Sequence, residues 1–129
     1  MSTQTATAGH TPEWITEMFA AIDRMDSRGY ASYFTEDATW HFANSAPMYG
    51  HAEIRDGADR VFALLNGIGH EVRRAWTTAD SAIVEGVVHY TRKDNTVISL
   101  PFASFYELRG EKIAAYRSYI DAAPLFAST

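Results

Sequence analysis

Trp14, Ile15, Met18, Phe19, Ile22 and Met25 recur at three- and four-residue steps. That spacing predicts one apolar stripe on a helix running to about residue 25. Thr11-Pro12-Glu13 marks its start with a hydroxyl, a proline at the first helical position and an acid in the first turn. Asp26-Ser27 offers the next cap, and Tyr30, Tyr33 and Phe34 follow on a second short helix. Thr35-Glu36-Asp37 breaks it. Residues 38–42 then alternate as a strand, with Trp40 and Phe42 on one face and Thr39 and His41 on the other. A loop over 44–50 ends in glycine. A third helix, from 51 to about 66, places Ile54, Ala58, Val61, Phe62 and Leu65 on one face, with Gly67 and Gly69 as its stop.

The remainder reads as four strands, 70–77, 82–91, 97–108 and 112–121, joined by turns at Asp80-Ser81, 92–95 and 109–111. Pro101 predicts a bulge or an edge in the third. Hairpin links imply an antiparallel meander, and helices gathered on one side of it make an α+β fold. The strand 82–91 has two faces. Glu85, Val87 and His89 share one; Val84, Gly86, Val88 and Tyr90 share the other. An ordinary amphipathic strand buries the valine face and wets the Glu85/His89 face. A catalytic reading needs Glu85 and His89 turned inward.

Composition narrows the function classes. The chain has 129 residues, 47% of them hydrophobic, which suits one domain with a real core. Residues 1–10 are polar and small, expected as a disordered leader, with the domain over 11–129. Eleven Lys+Arg against 16 Asp+Glu give a net charge of −5, which argues against nucleic acid as partner. The leader lacks the apolar stretch of a signal peptide or membrane span. With no cysteine, thiolate metal sites and disulfides are excluded. The expected location is the cytoplasm. No phosphate-cradling loop, dinucleotide fingerprint or paired-histidine metal motif occurs, so neither metal nor cofactor is expected.

Asp26…Tyr33-Phe34-Thr-Glu-Asp37-Ala38-Thr39-Trp40, then Tyr49-Gly50-His-Ala-Glu-Ile54, then Phe105-Tyr-Glu-Leu-Arg-Gly-Glu-Lys-Ile113 and Arg117-Ser-Tyr-Ile-Asp121 resemble the SnoaL-like branch of the nuclear-transport-factor-2-like superfamily. The resemblance covers roughly residues 12 to 122. It implies a cone-shaped α+β barrel, with three N-terminal helices packed on a curved, mostly antiparallel sheet around a deep apolar pocket. The superfamily holds cyclases, isomerases, dehydratases, epoxide hydrolases and non-catalytic binding domains, so fold alone does not choose the reaction.

Residue by residue, the general base of the ketosteroid isomerases falls on Phe42, and their oxyanion-hole acid near Ala103. The epoxide hydrolases' central-strand pair falls on Glu85 and Val87, while their last-strand acid matches Asp121. The histidines and acid of scytalone dehydratase resemble His70, His89 and Asp26. The same likeness implies an inner face of Trp40, Phe42, Glu85, Val87, His89, Arg117, Tyr119 and Asp121.

His89 is the first candidate for acid/base work, because an imidazole titrates near neutrality. Asp121 is expected to orient it or act as base, against a strand-end salt bridge to Arg117. Glu85 pairs with His89 or faces solvent. His70 is a second histidine or a strand-start surface residue. Asp26 is a pocket acid or a helix cap. Trp40, Phe42, Tyr49, Val87, Arg117 and Tyr119 are the expected substrate contacts, and Tyr30, Tyr49 and Tyr119 are possible hydroxyl donors. The expected function is cofactor-independent dehydratase, isomerase or aldol-type cyclase chemistry on a small hydrophobic carbonyl or polyketide-like substrate. The competing reading is a non-catalytic ligand-binding or dimerisation module, a homodimer through the sheet face using Val84, Val88 and Tyr90.

Overall fold

The apolar stripe folds as α1 (Glu13–Asp23), with Ile15, Met18 and Phe19 buried. Met25, at φ 58°, turns the chain out of the helix. The computed structural model describes residues 7–8 and 11–126. Asp26 caps α2 (Ser27–Ala31) by accepting from the Gly29 N–H at 2.9 Å. β2 (Phe34–Phe42) starts at Phe34, which the sequence reading had placed on the second helix. β3 (Met48–Tyr49) folds back on Trp40 and Thr39. Gly50, at φ +81°, opens α3 (Gly50–Phe62).

The long strands follow in order: β4 (Leu65–Thr77), β5 (Ser81–Arg92), β6 (Val97–Arg109) and β7 (Lys112–Tyr119), then a last turn of helix, α4 (Ala123–Phe126). Helix α3 ends at Phe62, four residues short of the expected stop. Gly67 and Gly69 lie inside β4, paired with Thr91 and His89. The full length of β5 is available as a partner, and its ladder holds both glycines extended. Within the expected leader, β1 (Thr7–Ala8) pairs with Thr77 and Trp76 of β4. The disorder expected at 1–6 and 9–10 concerns positions outside the described residues.

Among the described residues the sheet has seven strands in the order β1-β4-β5-β6-β7-β2-β3. The meander is antiparallel, and β2 joins it parallel to β7. The sheet is curved but does not close on itself. Pro101 pairs with Val87 well inside β6. The β7 ladder begins only at Ala103↔Tyr119, so on that side the proline lies past the neighbouring strand, where its missing N–H costs no bond.

Helices α1 and α3 lie on one face. Val84, Val88 and Tyr90 of β5, Phe102 and Tyr106 of β6, and Ile113 and Tyr116 of β7 face them and form the core. Of the sheet's register breaks, two bear on these phases near the middle of the meander. One lies in β4 between Val72 and Arg74; the other lies where Glu107/Leu108 meet Ala115/Ile113. Each inserts a residue on one strand and reverses the in–out alternation beyond it.

Candidate functional site

The site grows from the C-terminal end of α1. Phe19 and Asp23 are one turn apart and therefore share a helix face. That face meets β4, where His70 sits between Ile68 and Val72. The Asp23 carboxylate accepts from the His70 backbone N–H at 3.2 Å, and its other oxygen lies 2.6 Å from His70 Nδ1. The His70 side chain is only 10% exposed. Its ring lies 4.6 Å from Phe19, tilted by 38°, with Phe102 edge-on at 5.5 Å. A carboxylate only accepts, so Nδ1 carries the proton, and in the neutral ring Nε2 holds the lone pair. The imidazole is thus fixed in orientation and tautomer by a carboxylate.

His70 lines a cavity of about 60 Å³, within a cleft of about 410 Å³ once its open mouth is counted. Ile22, Ile68, Val61 and Phe62 make its aliphatic and phenyl wall. Trp40, Phe42 and Tyr116 form a stack across it, with centroids 5.9 and 5.7 Å apart and interplanar angles of 15° and 24°. The Trp40 indole N–H donates to the Tyr30 hydroxyl at 2.8 Å, fully buried. α3 lies directly on this indole. A Cβ on Gly57 would come within 2.7 Å of Trp40 Cζ3, so only glycine fits.

Tyr30, Tyr90 and Tyr116 are three tyrosines of the cavity lining. Burial pushes the Tyr30 hydroxyl well above its ordinary pKa, pushes Tyr116 up to about 12, and raises Tyr90 as well. All three stay protonated at neutral pH, so each keeps a hydroxyl proton to donate. A fixed imidazole beside such donors, in a largely apolar cavity, can take a proton from one atom while stabilising charge on another.

Of the residues expected from the sequence, His70, Trp40, Phe42 and Tyr30 meet at this cavity. The others are elsewhere. Glu85, Val87 and His89 lie on the outer face of the sheet, because β5 buries Val84, Val88 and Tyr90 against the helices. His89 is held there by Glu71 Oε2 at 2.6 Å from Nε2 and by Ser99 Oγ at 2.7 Å from Nδ1, not by Glu85. The hydrogen bond from His89 lowers the Glu71 pKa. Arg117 and Tyr119 are also outside: Arg117 donates to Glu107 at 2.8 Å and lies over Phe105, and Tyr119 stands edge-on to that ring.

Asp121 is exposed beyond the end of β7, where it accepts from the Ala123 N–H. Its expected bridge to Arg117 is replaced by Arg117–Glu107. Asp26 is the α2 cap, and that backbone hydrogen bond lowers its pKa. Tyr49 is 57% exposed on β3 and is absent from the cavity wall.

Sequence reasoning missed Asp23, Tyr90 and Tyr116. For Asp23 the signal was present: a carboxylate four residues after Phe19, on the stripe itself. Tyr90 was legible from its parity with Val84 and Val88. Tyr116 was hidden by the register break before it. Among the described residues no group of three or more His, Cys, Asp or Glu side chains is arranged to hold a metal ion.

Among solved structures, the chain is similar to a protein with a ketosteroid-isomerase-like fold from Catenulispora acidiphila, in complex with trimethylamine. The two are 26% identical over 85% of this chain and 86% of that one, with a TM-score of 0.79. It is also similar to TerC, co-crystallised with polyporic acid (22% identity, 87% and 92% coverage, TM-score 0.77). A third is a SnoaL-like polyketide cyclase, assigned as such only provisionally, from Shewanella denitrificans (11%, 83% and 87%, TM-score 0.74). No curated protein matches in sequence. The SnoaL-like domain matches residues 15–116, from the first buried position of α1 to the cavity tyrosine of β7, and the chain belongs to the SnoaL-like family.

Proposed function

We propose that this chain is a cofactor-independent acid/base enzyme acting on a small hydrophobic carbonyl compound. His70 is the base, Asp23 holds it in position, and the tyrosine hydroxyls at the cavity wall donate to the oxygen that gains charge. The carrying observation is the His70–Asp23 pair at 2.6 Å, with the imidazole on the wall of an aromatic cavity. Removing a proton next to a carbonyl generates an enolate. That step is common to isomerases, dehydratases and aldol-type cyclases. The two solved relatives that hold small molecules, trimethylamine and polyporic acid, support use of the fold as a ligand chamber. The second reading, a binding module without turnover, draws on the wall: apart from the His70 imidazole, the side chains lining the cavity are aliphatic, aromatic or phenolic.

Deuterium exchange into 2-tetralone, followed by proton NMR in D₂O near pH 7, separates the two. The enzyme reading expects exchange above buffer, reduced by about 100-fold or more in His70→Ala and partly in Asp23→Asn, with circular dichroism unchanged. Binding of the ketone without exchange favours the module. Equal exchange by His70→Ala and native protein rules out His70 as base.

A further inference from the structure

The cavity beside His70 shares part of its wall with a second space. A cleft of about 330 Å³ shares Trp40, Phe42 and Val61 with it and is completed by Ala46, Met48, Phe126 and their neighbours. Arg60, near the end of α3, is the one charged residue on that cleft's wall among the described residues.

The posture of Arg60 needs explaining. The α3 macrodipole favours a cation in the last helical turn, which accounts for a basic residue there but not for where it reaches. Asp56 stands one turn earlier, at the spacing that ordinarily forms a helix-surface ion pair. Acids outnumber bases 16 to 11 in this chain, so counter-ions are in surplus. Even so, among the described residues Arg60 forms no salt bridge. Its Nη2 lies instead 3.7 Å from Met48 Sδ, a weak acceptor that lines the same cleft. A guanidinium held on the wall of an otherwise uncharged cleft by a thioether has donors to spare for a planar anion.

We infer that Arg60 is a specificity-determining residue, and that the site takes an amphipathic ligand whose apolar ring sits in the inner cavity and whose carboxylate meets Arg60 at the mouth. This rests on the reading of the cavity as a small-molecule site. It deepens that reading by naming the ligand class. The contact is exposed to solvent, so it discriminates modestly, by about fivefold, and the effect weakens with salt.

The test uses two probes of equal length, 3-phenylpropanoate and 3-phenylpropan-1-ol. Each is titrated into ¹⁵N-labelled full-length protein while the Trp40 indole N–H resonance is followed. The native protein is expected to bind the acid about fivefold more tightly than the alcohol. In Arg60→Gln that preference falls below about twofold, with the alcohol's affinity unchanged. Arg28→Gln, which removes an exposed arginine from α2, keeps the preference and controls for net charge. A preference that survives Arg60→Gln, or that the native protein never shows, overturns the inference while leaving the cavity reading intact. If neither probe moves the Trp40 resonance, both fall together.

Discussion

Tyr30, Tyr106 and Tyr116 are each under 8% exposed, yet each carries a hydroxyl that would ionise in water near pH 10. Desolvation is the largest cause of each upward shift, so the folded protein keeps these groups neutral at pH values where the unfolded chain does not. Folded pKa values raised above unfolded ones mean that the stability they contribute is complete below pH 10 and is lost as pH climbs through the folded values. For Tyr116 that window runs from 10 to about 12 and is worth about 3 kcal/mol. Alkaline unfolding is therefore expected to begin above pH 10, with tyrosinate absorbance rising together with the loss of circular dichroism. Tyrosinate forming well before unfolding would show that water reaches these hydroxyls. Residue type alone made tyrosine a candidate donor. Burial decided that Tyr30 lines the cavity while Tyr49 and Tyr119 stand at the surface.

Among the elements, α3 and β2 fix the cavity wall through one close approach. Gly57→Ala would ordinarily stabilise a helix by about 1 kcal/mol. Here the added methyl lands 2.7 Å from a ring already stacked on Phe42 and Tyr116. Overpacking of about 1–3 kcal/mol should outweigh that gain. Urea denaturation is expected to show net destabilisation, with a shift in Trp40 fluorescence. A stabilised variant would mean that the indole yields freely. At this scale the amphipathic stripe of α1 and the three hairpins were readable from spacing. The face of each strand was readable only while alternation ran unbroken. On β7, counting by twos from buried Ile113 puts Arg117 and Tyr119 inside, but the register break turns Tyr116 and Ser118 inward instead.

For the whole molecule, the outward turn of Glu85, Val87, His89, Arg117 and Tyr119 leaves a broad sheet face with no helix over it among the described residues. Acids (Glu71, Glu85, Glu107) and bases (Arg74, Arg117) alternate there around Ile83, Val87 and Phe105. Such a mixed surface can meet its own copy about a two-fold axis. The homodimer remains a proposal of ours, moved from Val84, Val88 and Tyr90, which are core, to this outer face. Sedimentation equilibrium is expected to give a dimer that Val87→Asp converts to monomer; a native monomer at every concentration would refute it. No helix among the described residues is long and apolar enough to cross a membrane. The sequence by itself determined the order of the three main helices and the five long strands, the α+β class, the helix stripe and the aromatic pair Trp40/Phe42, because these follow from local periodicity and turn chemistry. Only the tertiary structure decided that His70 rather than His89 lines the cavity, and that the carboxylate behind it is Asp23. Which face of a strand is inside depends on where the helices lie, and a bulge exists only in relation to the partner strand.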